Sequence, residues 1–110
     1  MSLHPVVLAI DDSPENLVLM STLLKDHYKV KVANSGARGL ELARSASPDI
    51  ILLDIMMPVM DGYAVCEQLK RDPATAHIPV IFLTARTESD DEKHGLEVGA
   101  VDYITKPISP

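Results

Sequence analysis

Continuous apolar runs alternate along the chain with stretches of mixed polarity. Residues 6–10, 50–53 and 80–83 are apolar without interruption, which predicts strands buried on both faces. Residues 29–32 alternate polar and apolar, and residues 101–104 do so in part, so both predict strands at the edges of a sheet. The pattern therefore predicts three central strands and two edge strands.

The segments between these strands carry helix signals. Ser13 and Pro14 are typical of an N-cap and a first helical position, and Ser35 and Asp61 open two further segments with apolar residues at helical spacing. The predicted helices are residues 14 to about 27, a segment capped by Ser35 that stops before Ser47, residues 62–71 and residues 89–98. Five strands alternating with four helices predict a parallel α/β sheet with right-handed crossovers. With the three apolar strands in the middle, the two alternating strands at the edges and sequence neighbours close in space, the simplest strand order is 2-1-3-4-5.

Polar side chains follow the central strands. Asp11 and Asp12 come directly after the first strand, and Asp54 ends the third. Because the carboxyl ends of parallel strands meet at one edge, we expect these carboxylates to converge where the strand order reverses. Thr84 and Lys106 follow the fourth and fifth strands, so the same crevice is predicted to hold a hydroxyl and an ammonium group.

Three converging carboxylates repel one another unless a cation compensates. Oxygen ligands without histidine or cysteine suit a hard ion, most simply Mg²⁺, with Mn²⁺ as an alternative. Lys106 and Thr84 can contact phosphoryl oxygens. A carboxylate beside a metal, with no stronger nucleophile nearby, indicates a transient acyl phosphate on Asp54 formed by in-line phosphoryl transfer.

Each residue also has an ordinary structural interpretation. Taken alone, Asp11 and Asp12 form a helix-capping pair, Thr84 is a strand-end residue and Lys106 is a solvated charge. Only their joint placement at one edge favours the functional interpretation. The side chains of Met56, Met57 and Met60 are predicted to pack, and Cys66 is predicted to be a core thiol.

The composition excludes other classes of protein. A chain of 110 residues is the size of one domain, and its net charge of −6 argues against direct binding to nucleic acid or to an anionic membrane. The single cysteine excludes an internal disulfide and fits a reducing compartment. Residues 1–10 lack the pattern of a signal peptide, and no apolar run reaches transmembrane length, so we expect a cytoplasmic protein without membrane contact.

The chain resembles the receiver domain of two-component response regulators over nearly its whole length. The matching residues are Asp11-Asp12, Asp54, Met57-Pro58, Asp61-Gly62, Thr84-Ala85, Tyr103 and Lys106-Pro107. The resemblance implies a flavodoxin-like doubly wound sheet and an Asp54 that accepts phosphate from the phosphohistidine of a sensor histidine kinase or a histidine phosphotransfer protein. It also implies a conformational switch that controls an output domain or a target protein.

The resemblance further implies a role for each site residue. Asp11, Asp12, Asp54 and the Met56 carbonyl would hold Mg²⁺. Thr84, Lys106 and the backbone N–H groups of Met56 and Ala85 would bind the phosphoryl group. Thr84 and Tyr103 would form the switch pair, and the Lys106-Pro107 peptide bond would be cis.

Two alternatives belong to other functional classes. A degenerate receiver that serves only for docking would have lost the acid pair, the acceptor or the lysine, and this sequence retains all of them. A Mg²⁺-dependent phosphatase with an aspartyl-phosphate intermediate typically has a second acid two residues after the nucleophile, where this chain has Met56. Residues 1–110 are therefore expected to be a phosphoacceptor switch that catalyses only its own phosphorylation and slow dephosphorylation.

Receiver domains end with a fifth helix that covers one face of the sheet, and this sequence stops at Pro110, where that helix would begin. A C-terminally short receiver with four helices is therefore expected. Uncovered apolar surface would lower its stability and favour self-association through the bare face.

Overall fold

The structure of the protein, a computed structural model, describes residues 4–84 and 102–105; for residues 84 and 102–105 it describes the backbone alone. The predicted parallel sheet is confirmed, with the predicted strand order 2-1-3-4-5 and the two alternating strands at its edges. The strands are β1 (Val6–Ile10), β2 (Lys29–Ala33), β3 (Ile50–Asp54), β4 (Val80–Thr84) and β5 (Asp102–Thr105). The described part of the fifth strand extends one residue beyond the predicted end, to Thr105.

Three helices lie within the described residues: α1 (Pro14–Leu24), α2 (Gly36–Ala46) and α3 (Gly62–Arg71). Each begins after the predicted N-cap, since the side chains of Ser13, Ser35 and Asp61 accept a backbone N–H of the first turn. The predicted helix at residues 89–98 lies outside the described residues.

The first helix is shorter than predicted. It ends at Leu24 instead of near His27, and the chain continues as a turn in which the backbone N–H groups of His27 and Tyr28 both donate to the Leu24 carbonyl, at 3.1 and 2.9 Å. These bonds form a turn that leads the chain into β2. The polarity pattern did not distinguish this turn from a further helical turn.

The core lies on both faces of the sheet. Alternate residues of β1 point to opposite faces of the sheet. Leu8 and Ile10 belong to the larger core cluster, which includes residues of α2 and α3. Val7 and Ala9 belong to a second core cluster on the opposite face, which includes residues of α1. This two-sided cover explains why the central strands are continuous apolar runs. It also leaves the strand ends as the part of the sheet that polar groups can reach.

The loop between β3 and α3 contains an unusual backbone conformation at Val59. Its φ is 68°, in the left-handed region, and its side chain is fully exposed. A β-branched residue is disfavoured there by about 1–2 kcal/mol, because its Cβ substituents crowd the backbone. An exposed side chain has no buried contacts to offset this cost.

We expect Val59→Asn to raise the free energy of unfolding by about 1 kcal/mol, because asparagine adopts the left-handed conformation more readily. Urea denaturation measures the change. The matched control, Val59→Ile, keeps the branched Cβ and should unfold at the same midpoint as the unmodified protein. If Val59→Asn unfolded at the same urea midpoint as Val59→Ile and the unmodified protein, the backbone at position 59 would not be strained.

Candidate functional site

Three carboxylates meet at the carboxyl edge of the sheet. Strands β1 and β3 pair in parallel with Ile10 opposite Leu53, so the residues that follow, Asp11 and Asp54, lie side by side. Together with Asp12 they present carboxylate oxygens that all lie within 4.8 Å of one another. Asp11 is 0% exposed and Asp54 is 3% exposed, whereas Asp12 faces solvent. The predicted convergence of the three acidic side chains is confirmed.

The loop after Asp54 is anchored to the same edge by Gly62. The Gly62 N–H donates to the Ile55 carbonyl at 2.9 Å, which brings the start of α3 against the end of β3. A Cβ at position 62 would clash with the carbonyl oxygen of Asp54, so only glycine fits this close approach. The Met56 N–H lies 3.4 Å from Asp54 Oδ1, at the long end of a hydrogen bond.

The first turn of α1 holds the Asp11 carboxylate. The Ser13 N–H donates to Oδ1 at 2.9 Å, and the Asn16 side-chain amide donates to Oδ2 at 3.2 Å. Asn16 is not among the site residues predicted from the sequence. Its position could have indicated this contact. Asn16 is the third residue of the helix that begins shortly after the acid pair, and a short amide side chain there can reach back to the end of the preceding strand.

The remaining predicted site residues are described in part or not at all. Thr84 ends β4 directly after Leu83, whose strand partner is Asp54, so its backbone lies at the same edge. Tyr103 lies in β5 opposite Phe82. Ala85 and Lys106, with its peptide bond to Pro107, lie outside the described residues.

The three methionines near the site differ from one another. Met57 is buried and Met60 packs against the larger core cluster, as predicted. Met56 is 62% exposed, so the prediction that its side chain packs was wrong. Met56 lies two residues after Asp54, between the buried residues Ile55 and Met57, and its own side chain points away from the core.

The one cysteine takes no part in this site. Cys66 is fully buried in the larger core cluster, as predicted. Burial raises the pKa of its thiol to about 11, and a smaller attraction from Lys70 acts in the opposite direction. The nucleophilic thiolate is therefore scarce near neutral pH.

The carboxylate cluster suits a hard divalent cation. It offers oxygen donors alone, which are the ligands that Mg²⁺ prefers, and exposed Asp12 leaves a side open to water. A cation between the carboxylates would also relieve their mutual repulsion. Asp11, Asp12 and Asp54 are thus the described residues that could hold such an ion.

The chain belongs to the response regulator receiver domain family, whose model matches residues 7–110. Members of this family are phosphoacceptor switches of two-component systems rather than conventional enzymes. A probable cyclic di-GMP phosphodiesterase of Vibrio cholerae is 50% identical over 103 residues, which cover 94% of this chain and 23% of that protein. The chain thus spans about a quarter of the length of this relative.

Solved structures agree with the family assignment. The chemotaxis protein CheY4 of Vibrio cholerae matches with a TM-score of 0.93 and 32% identity, covering 97% of this chain and 90% of that one. The receiver domain of a sensor histidine kinase from Pseudomonas aeruginosa PAO1 matches with a TM-score of 0.87 and 28% identity, over 96% and 88%. That receiver was solved with a magnesium ion in its active-site cleft. In the part of the present chain that is described, no helix combines the length and apolar character needed to cross a bilayer.

Proposed function

We propose that residues 1–110 form a receiver domain in which Asp54 accepts a phosphoryl group from a phosphohistidine. The observation that supports this most directly is the position of Asp54, almost fully buried at the end of β3 and within 4.8 Å of two further carboxylates. A buried carboxylate in such a cluster is a suitable phosphate acceptor when a cation offsets the charge. The donor is a sensor histidine kinase or a histidine phosphotransfer protein.

We assign the metal site to the carboxylates of Asp11, Asp12 and Asp54 with the Met56 carbonyl. Mg²⁺, or Mn²⁺ in its place, would neutralise charge that develops on the phosphoryl oxygens during in-line transfer. The magnesium ion in the related Pseudomonas receiver supports this assignment. The buried Asp11 and Asp54 supply charge at fixed positions, and the exposed Asp12 lines the entry from solvent.

The phosphoryl group itself would be held by Thr84, Lys106 and the backbone N–H groups of Met56 and Ala85. The Met56 N–H points at Asp54 Oδ1, so this donor already lies beside the carboxylate on which an acyl phosphate would form. Thr84 and Tyr103 are the proposed switch pair, which would change conformation when Asp54 is phosphorylated. That change would control an output domain or a separate target protein, in a cytoplasmic setting.

Two alternative functions are less well supported. A docking module needs no acidic cluster, so three carboxylates within 4.8 Å would be an unexplained cost in charge repulsion. A phosphatase needs a general acid near the nucleophile, and the residue two positions after Asp54 is the exposed Met56. The phosphoacceptor switch accounts for both observations.

Incubation with acetyl phosphate and Mg²⁺ should add one phosphoryl group, detected by intact mass. Asp54→Asn, which keeps the side-chain shape but not the nucleophile, should abolish labelling, and so should excess EDTA. Asp26→Asn alters an exposed aspartate outside the cluster and should be labelled like the unmodified protein. Labelling of Asp54→Asn, or equal labelling in EDTA, would contradict the proposal.

Met56 is expected to slow dephosphorylation. Water must reach the phosphorus in line, and a bulky exposed side chain two residues after Asp54 borders that approach without being able to act as a base. We expect Met56→Asn to speed self-dephosphorylation about fivefold, or about 1 kcal/mol in activation free energy.

The matched control, Met56→Leu, keeps an apolar bulk and should retain the slow rate. Loss of phosphoryl label from purified phosphoprotein, followed by intact mass, gives the rates. A change of less than about twofold in Met56→Asn, roughly 0.4 kcal/mol, would show that this side chain does not shield the phosphate.

An apolar groove lies on the α1 side of the sheet. Its volume is about 300 Å³, and its lining residues are Val7, Leu24, Tyr28, Ile50, Leu52 and Ile81. An apolar surface of this kind favours association, because burying it removes apolar area from water. We propose that two copies of this chain associate through the groove.

Light scattering over a concentration series should show a rising average mass for this chain. Leu24→Glu places a charge in the groove and should keep the chain monomeric. Val18→Glu, on the same helix but outside the groove and 65% exposed, is the matched control and should associate normally. A constant monomer mass at all concentrations would contradict the proposed association.

A further inference from the structure

The start of α1 departs from the usual capping box. In that motif the N-cap side chain accepts the N–H of the third helical residue, whose own side chain accepts the N–H of the N-cap. The first half is present, because Ser13 Oγ accepts the Asn16 N–H at 3.4 Å. The second half differs, because the Ser13 N–H donates to Asp11 Oδ1 instead of to the side chain of the third helical residue. The Asn16 side chain is thereby released from the capping role and donates to Asp11 Oδ2.

The Asp11 carboxylate is therefore held at both oxygens by one helical turn. Asp11 is 0% exposed, so bulk water does not compete for these bonds. Two bonds to two different oxygens oppose rotation of the carboxylate plane. The Asn16 amide is neutral, and it orients Asp11 without cancelling the charge that attracts a cation.

We propose that Asn16 is a positioning residue for the metal site, because its side-chain amide fixes the Asp11 carboxylate in the orientation that meets Mg²⁺. The inference rests on the proposed function, in which Asp11, Asp12 and Asp54 bind that ion. Asn16 contacts the carboxylate and not the ion itself. Hydrogen-bond partners of this kind commonly change metal affinity by 10–100-fold when they are removed.

Removal of the side-chain donor should weaken Mg²⁺ binding. We expect Asn16→Leu, which has similar size, to raise the Kd for Mg²⁺ about tenfold, and Asn16→Ala to do the same as an independent variant. Asn16→His can present a ring N–H at a similar reach and should restore the Kd to within about threefold of the unmodified protein. Backbone amide shifts of ¹⁵N-labelled protein during titration with MgCl₂ measure each Kd without any phosphoryl transfer.

The control is Ser13→Ala, which weakens the helix cap but keeps the backbone bond to Asp11 and the Asn16 side chain. It should lower the urea midpoint while leaving the Kd for Mg²⁺ near that of the unmodified protein. Equal loss of affinity in Ser13→Ala and Asn16→Leu would show a general effect of helix stability and would overturn the proposal. An unchanged Kd in both Asn16→Leu and Asn16→Ala would overturn it as well, while leaving the proposed function intact. If the unmodified protein failed to bind Mg²⁺, the proposed function itself would fall, and this inference with it.

Discussion

The burial of two carboxylates at the ends of adjacent parallel strands is the constraint on which the rest of this structure depends. Asp11 and Asp54 are almost completely removed from water, and a buried negative charge is costly unless hydrogen bonds or a cation compensate it. Two charges of the same sign so close together increase that cost. Backbone and side-chain N–H groups around the two carboxylates offset part of the free-energy cost of burying them.

The hydrogen-bond donors come from the elements that follow each strand. Asp11 receives N–H groups from the first turn of α1, where the positive end of the helix dipole also favours a negative charge. Asp54 has the Met56 N–H nearby, in a loop that Gly62 ties back to the strand end. The described donors thus come from different elements, the start of α1 for Asp11 and the loop after β3 for Asp54. In the proposed function, Asp11 would help to hold the metal ion and Asp54 would accept the phosphoryl group.

The apolar parts of the fold determine where that polar edge can form. Both faces of β1 and β3 are covered, so the strand ends are the part of the central sheet that polar groups can occupy. Close packing beneath the site restricts the backbone: a Cβ on Gly39 would clash with the Ile10 side chain, directly before Asp11. Core packing and site geometry are therefore linked through Ile10, whose position sets where the following carboxylate lies.

The sequence by itself determined the order of the strands, the N-caps of three helices and the identity of the acidic cluster. Continuous apolar runs indicate strands buried on both faces, and alternating polarity indicates an edge strand. Acidic residues that directly follow parallel strands lie at the same carboxyl edge of the sheet. These features depend on residues close together in the chain and on periodicity. Simple patterns were therefore sufficient to predict them.

The tertiary structure alone decided the contact between Asn16 and Asp11, the exposure of Met56, the end of α1 at Leu24 and the left-handed backbone at Val59. Each of these depends on the path that the chain takes after an element ends, and that path is set by the register of β1 against β3 and by the approach of α3 to the strand end. Hydrophobic periodicity carries little information about such paths, because turn residues are polar or exposed whichever way the chain turns. The carboxylates converge because the sheet is parallel, whereas their separations and hydrogen-bond partners follow from the packing of the loops and helices around them.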